Sequence, residues 1–195
     1  PTRGISVVSD IDDTIKESMV IDRRELLVNT FLREFRSVDG MSDVYRQWEA
    51  RGAGFHYVSS SPWQLFQSLQ QMHSIHDFPN GTMHLRNFRL RDQLLKRVIL
   101  RRKGKASEIK RLMEYMPDRD FILVGDSGEK DPKIYLKMCR RFGDRVKGVF
   151  IREIAERPLE TDLFRKLQAS TPAGNCKKFS TAKELANLSS EIFVQ

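Results

Sequence analysis

A chain of 195 residues with 39% apolar and 31% charged side chains is long enough for one domain with a sizeable core and too short for two large ones. Its apolar residues come in short runs, none near the ~20 residues of a membrane span, and it has no internal repeat, low-complexity tract or coiled-coil seam. The formal charge of +8 favours an anionic partner, whether nucleic acid, a phosphorylated small molecule or an acidic membrane surface, without choosing among them. Cys139 and Cys176 lie far apart with no metal-ligand spacing, which reads as reduced thiols in a cytosolic-type protein rather than a disulfide. A first residue of Pro1 rather than Met is expected of a trimmed chain that has lost an upstream part.

The first predicted element is a strand. Ile5, Val7 and Val8, with small residues between, form the short β-branched run of a buried parallel strand. It ends in three carboxylates, Asp10, Asp12 and Asp13, with Thr14 closing the turn. Ligands of open α/β sheets bind just beyond the carboxyl ends of the strands, so these acids are expected at the mouth of a site. Carboxylates two residues apart suit a divalent cation and a phosphoryl group: one attacks phosphorus, a cation offsets the repulsion, and the other carries the proton. An EF-hand loop starting at Asp10 is excluded, because Ile15 and Ile21 stand where Gly and Glu are required. A simple helix cap or Asx-turn remains an alternative for the acids.

Residues 15 to 54 read as a polar connection with helices around Arg24 to Phe35 and Ser42 to Arg51. Phe55 to Val58 is the next strand, and it runs into Ser59-Ser60-Ser61-Pro62, where Ser61 and Pro62 resemble a helix start. Trp63, Phe66, Leu69 and Met72 or His73 follow at helical spacing, a stripe expected to be mostly core. Thr82 to Leu85 is a further short strand. The stretch from Arg86 to Lys105 is dense in Arg and Lys, with Asp92 its sole acid, and reads either as a solvated face or as an anion-attracting rim.

Lys105 to Met116 is an amphipathic helix with Ile109, Leu112, Met113 and Met116 on one face, ended by Pro117. Phe121 to Val124 is a second buried strand and runs into Gly125-Asp126-Ser127, with Asp131-Pro132 opening a helix that turns Ile134, Tyr135, Met138 and Phe142 inward. Val146 to Ile151 is another strand. A helix from Arg157 to Gln168 and a capping box of Thr181 with Glu184 complete the chain. Strands alternating with helices predict an α/β fold with a parallel sheet covered on both faces. We expect one domain over 1–195.

Three strand ends thus carry polar chemistry: Asp10 with Asp12, Ser59, and Asp126 with Asp131. Taken together with Lys105, they resemble the four ordered motifs of the haloacid-dehalogenase superfamily of phosphohydrolases. More narrowly, the strings SDIDDTIK, YVSSSPW, FPNGTMHLR and GDSGEKDPKIY resemble the catalytic domain of the actin-patch-associated phosphatidate phosphatase family, which is related to the lipins. The likeness covers roughly residues 4 to 152. It implies a Rossmann-like haloacid-dehalogenase fold, a central parallel sheet flanked by helices, and a Mg²⁺-dependent conversion of phosphatidate to diacylglycerol and phosphate through an aspartyl-phosphate.

By the same resemblance Asp10 is the nucleophile, Asp12 the general acid and base, and Lys105 the lysine that steadies the phosphoryl charge, with Lys103 as its competitor. Thr14, Ser59, Ser60 and Lys105 would hold substrate phosphate, and Asp10, Asp12, Asp126 and Asp131 the Mg²⁺. Asp131 could instead be a helix cap, and Ser127 either a phosphate contact or a turn residue. The insertions between motifs are too short for a large independent cap, so the cap is expected to be small or absent. An open basic rim with Trp63, Phe78 or Phe88 nearby would suit a peripheral membrane surface in a cytoplasmic protein. Two other functions compete: a phosphatase of soluble or nucleic-acid phosphomonoesters, and a non-catalytic membrane-recruitment module. No nucleic-acid partner is expected.

Overall fold

The computed structural model describes residues 2–16, 36–86, 104–172 and 175–193. The strands β1 (Gly4–Ser9), β2 (Gly54–Pro62), β3 (Gly81–Arg86), β4 (Arg119–Asp126), β5 (Val146–Arg152) and β6 (Cys176–Phe179) form one sheet in the order β3-β2-β1-β4-β5-β6. Every neighbouring pair is parallel. The helices are α1 (Met41–Ala50), α2 (Phe66–Ile75), α3 (Lys105–Tyr115), α4 (Asp131–Phe142), α5 (Thr161–Ser170) and α6 (Ala182–Ser189). The protein is therefore an α/β, Rossmann-like fold.

Side chains alternate across the sheet, which is why the central strands read as unbroken apolar runs. Val7, Ile122 and Phe150 pack against α1, α2 and α6 on one face. Val8, Leu123, Val149 and Ile151 pack against α3, α4 and α5 on the other. Val7 pairs with Phe55 on one side and Ile122 on the other, and it is fully buried. Burying a side chain of that size contributes about 1.5–3 kcal/mol. From β1 the chain winds out through β2 to β3 and in the other direction through β4 to β6. The winding reverses between β1 and β4, and the crevice beyond their carboxyl ends is where such sheets bind ligands. The opposite end of the sheet is closed by Arg119, whose guanidinium donates to Ser6 Oγ at 2.7 Å, Arg3 O at 3.1 Å and Ile5 O at 2.5 Å.

Several local expectations change. The helix predicted to open at Ser61-Pro62 is instead the end of β2, which runs on to pair Pro62 with Arg86 after a register shift beyond Val58. A short 3₁₀ turn, Trp63–Leu65, leads into α2. That turn rotates the aromatic stripe, so Trp63 and Phe66 are exposed while Leu69, Met72 and His73 are buried. Phe78, expected at a rim, is buried against Tyr45 and His73. Helix α5 begins at Thr161 rather than Arg157, whose N–H closes a turn on Ile154 O. Strand β6 has no counterpart in the predicted elements. The box at α6 forms, with Glu184 N donating to Thr181 Oγ1 and Ser180 N to Glu184 Oε2. Cys139 and Cys176 are free and buried. The helix expected around Arg24 to Phe35, Phe88, Lys103 and the basic stretch between Arg86 and Gly104 lie outside the described residues. No helix among the described residues is long and apolar enough to cross a membrane.

Candidate active site

The site begins where β1 stops. Asp10 N still donates to Val124 O of β4, at 2.8 Å, so the backbone leaves the sheet one residue after β1 ends. Ser9 Oγ donates to Asp10 O, and Tyr45 Oη lies 2.7 Å from that hydroxyl, so the phenol is the donor between them. Ile11 O then accepts the N–H groups of Thr14, Ile15 and Lys16 in a tight turn. Asp13 takes φ 54°, a left-handed conformation that aspartate tolerates better than most residues. Its carbonyl accepts from Arg152 Nη1 at 2.8 Å.

This turn sends the two carboxylates to different partners. Asp10 is 1% exposed, and its Oδ1 sits 2.5 Å from Lys105 Nζ. The same ammonium is 2.5 Å from Asp131 Oδ1. Thr14 Oγ1 donates to Asp10 Oδ2 at 3.2 Å. Asp12 turns elsewhere: its Oδ1 pairs with Lys16 Nζ at 2.6 Å, and its Oδ2 accepts from Ser59 Oγ and Ser61 Oγ, each at 2.8 Å. Residues i and i+2 share a face of a strand, which is how β2 delivers both hydroxyls together. Ser60, between them, is exposed.

Asp126 ends β4, fully buried. Its Oδ1 accepts from Gly128 N at 2.6 Å and Glu129 N at 2.9 Å, which fixes the carboxylate in an Asx-type turn. Ser127 is a turn residue, its Oγ accepting from Ile154 N. Asp131 is the first residue of α4 and caps nothing; Lys130 holds the cap position. Its carboxylate lies against Gly125, where a Cβ would overlap Asp131 Oδ2 and stand 2.7 Å from Tyr135 Oη. Only a glycine lets the acid approach the strand end this closely. Tyr135 is itself anchored by donating to Val124 O at 2.8 Å.

Electrostatics separate the two groups. Burial raises the Asp10 carboxyl above its usual range, with Asp12 adding and Lys105 opposing. Burial and the charge of Asp10 push Asp126 up to about 7. Asp131 is raised well above the ordinary carboxylate value by burial, against the pull of Lys105. Burial also works against the Lys105 ammonium, but Asp10 and Asp131 outweigh it and hold the lysine charged. Asp12 goes the other way: burial would raise it, yet Lys16, Ser61 and Ser59 together lower it.

Among the described residues one ammonium, that of Lys105, thus stands among three buried acids and touches two of them, Asp10 and Asp131. Asp10, Asp126 and Asp131 each offer a carboxylate oxygen within 4.8 Å of the others. Among the described residues, Asp126 Oδ2 and Asp131 Oδ2 are buried without a hydrogen-bond partner. Orphaned carboxylate oxygens are costly unless something positive completes them. An all-oxygen set with unspent acceptors fits a hard divalent cation. The carboxylate of Asp12 is directed to Lys16 and the serines, outside that group of three.

The structure therefore brings Asp10, Asp12, Thr14, Ser59, Lys105, Asp126 and Asp131 to one crevice. Sequence reasoning missed Lys16 and Ser61 as partners of Asp12, Gly125 as the seat of Asp131, and Arg152 as the anchor of the Asp13 turn. A lysine four residues after an acid and a second serine two residues after the first were the available signals.

A parallel sheet with buried acids at its switch point and a lysine from a following helix defines an α/β protein whose crevice could hold a metal ion. Residues 5–153 match the family described as phosphatidate phosphatase APP1, catalytic domain, and the chain belongs to that family. It is 33% identical over 154 residues to phosphatidate phosphatase APP1 of Saccharomyces cerevisiae, covering 76% of this chain and 26% of that protein. It is 35% identical over 156 residues to an uncharacterized protein of Schizosaccharomyces pombe, covering 77% and 25%. The chain spans about a quarter of the length of the curated relatives it matches.

Proposed function

We propose that this chain is a Mg²⁺-dependent phosphatidate phosphatase of the haloacid-dehalogenase type, releasing diacylglycerol and phosphate through an aspartyl-phosphate on Asp10. The observation that carries this reading is the pairing of Asp10 with Lys105 beside the under-neutralised acids Asp126 and Asp131. The substrate follows from family membership and from the name of the budding-yeast relative.

Asp10 supplies the attacking carboxylate oxygen, and Lys105 holds it while balancing the non-bridging phosphoryl charge. Mg²⁺ held by Asp10, Asp126 and Asp131 would lower the repulsion between nucleophile and phosphate. Thr14, whose hydroxyl donates to Asp10 Oδ2, would orient a phosphoryl oxygen, while Ser59 stays on Asp12. In the free site Asp12 is held as a carboxylate. An incoming phosphate brings like charge, which raises its pKa and favours the proton it must give to the leaving alcohol. After the alcohol departs, Asp12 takes a proton from the water that hydrolyses the aspartyl-phosphate.

Exposed Trp63 and Phe66 follow directly on the serines that reach Asp12. With the net positive charge they support a peripheral encounter with an anionic membrane from the cytoplasmic side. The test is phosphate release from phosphatidate in mixed micelles with and without Mg²⁺, beside a soluble aryl phosphate and a 3′-phosphorylated oligonucleotide, with Asp10→Asn as blank. Mg²⁺-dependent release strongest from phosphatidate is expected. Turnover confined to the soluble or nucleic-acid esters keeps the chemistry and rejects the lipid; no turnover rejects the enzyme.

A further inference from the structure

The geometry points to Lys16 and Ser61 as positioning residues that aim one oxygen of Asp12, Oδ1, at the departing alcohol, an inference that rests on the phosphatase reading above. A carboxylate offers about four acceptor sites, two on each oxygen. Ser59 and Ser61 together occupy Oδ2, both at 2.8 Å. Lys16 Nζ occupies one site of Oδ1 at 2.6 Å. Among the described residues, Oδ1 therefore has the lone pair left over for a travelling proton.

The fold has gone to some length to arrange this. The Lys16 side chain is 10% exposed and that of Asp12 20%, so the pair is shielded rather than a loose surface bridge. Lys16 reaches Asp12 because the turn on Ile11 O closes back with Asp13 in the left-handed region. The backbone of Lys16 is pinned between Asp12 and Ser37 by bridges on both sides. Ser61 reaches Asp12 because β2 continues past Val58 instead of turning into a helix. Two separate deviations from the simplest local structure converge on one carboxylate. Buried partners that fix a side chain to a single rotamer are what keep a reacting group within reach of its target.

The step balances as follows. A bond forms between an Asp10 oxygen and phosphorus while the bond from phosphorus to the alcohol oxygen breaks. Its electron pair leaves with that oxygen, which takes the proton from Asp12 Oδ1. Asp12 is left as a carboxylate facing the Lys16 ammonium, which is where the new charge is stabilised. In the second half water attacks phosphorus, its proton goes to Oδ1, and Asp10 is released as a carboxylate.

A poor leaving group needs that proton and a good one does not, so the readout is a ratio. Steady-state kinetics of the chain and of Lys16→Ala, Lys16→Arg and Ser61→Ala would be compared on phosphatidate in mixed micelles and on p-nitrophenyl phosphate. For Lys16→Ala, kcat on phosphatidate is expected to fall about 10²-fold, with less than about tenfold lost on the aryl ester and KM changed little. Lys16→Arg should restore most of the loss, and Ser61→Ala should show the same bias more weakly, about fivefold. Equal losses on both esters, or none, overturn the inference and leave the phosphatase reading standing. If Lys16→Ala does not fold, as judged by its melting transition, Lys16→Arg and Ser61→Ala decide by the same ratio. A parent chain inactive on both esters overturns the phosphatase reading and this inference with it.

Discussion

Asp10 and Asp12 stand two residues apart on one turn, yet their surroundings treat them in opposite ways. Around Asp10, among the described residues, three buried acids face one ammonium, that of Lys105, and burial wins: the carboxyl pKa values rise. Around Asp12, a lysine and two hydroxyls meet one acid, and the partners win. Among the described residues the first region is short of positive charge and holds orphaned oxygens, while the second has a partner on each oxygen. Neighbouring carboxylates whose pKa values are driven apart mark a division of labour, which on the proposed reading lies between a nucleophile with its cation site and a proton carrier.

The largest test of that contrast is Asp10→Asn. Turnover should fall by at least about 10⁴-fold, since an amide cannot serve as the nucleophile. The fold should survive, because the change removes one of the acids competing for Lys105 and leaves β1 untouched. Loss of the melting transition, or retained activity, breaks the comparison at its centre.

Asp126→Asn probes the shortage of charge directly. Without divalent cation this variant should melt higher than the parent, because a buried acid with an orphaned Oδ2 becomes neutral. Mg²⁺ at about ten times its Kd should stabilise the parent by about 1.4 kcal/mol, a rise of about 3–6 °C for a chain of this size. The variant should show little of that rise and lose at least about 10²-fold in rate. An equal Mg²⁺ shift in both proteins would remove Asp126 from the cation site. Gly125→Ala attacks the same region sterically: its methyl meets Asp131 and Tyr135, so a loss of about 2 kcal/mol is expected in the melt, with activity falling alongside.

How much of this was legible beforehand follows from what each residue depends on. Asp10, Asp126, Lys105 and Asp131 sit at strand ends or helix starts, and those boundaries are written in local apolar runs such as Phe121 to Val124. The winding of the sheet follows from the alternation of strands and helices. The partners of Asp12 depend on geometry that no run encodes. Lys16 arrives through a left-handed residue, and Ser61 through a strand that overrides the cap-like Ser-Pro signal by continuing to pair with β3 as far as Pro62. The exposure of Trp63 and Phe66 follows from the same override. Strand β6, Cys-Lys-Lys-Phe, is four residues at a sheet edge and carries too little apolar pattern to announce itself.

A perturbed, buried titratable group is not by itself a sign of chemistry, and His73 offers the control for the comparison. It lies on α2, with Tyr57 edge-on at 4.3 Å and Phe78 beside it. Among the described residues its Nε2 has no hydrogen-bond partner, and burial lowers its pKa to about 4. The unfolded chain would take up the proton near 6.5, so folding loses stability as pH falls from about 6.5 to about 4 and gains none above. The full effect is at most about 3 kcal/mol. His56, less buried and also lowered to about 4, adds a smaller effect in the same window. Melts at pH 7 and pH 5 should therefore show a larger acid penalty for the parent than for His73→Leu, while phosphate release at pH 7 stays within about twofold. A rate collapse in this variant with an unchanged melt would move His73 into the catalytic machinery and undo the distinction between burial that supports the fold and burial that prepares Asp10.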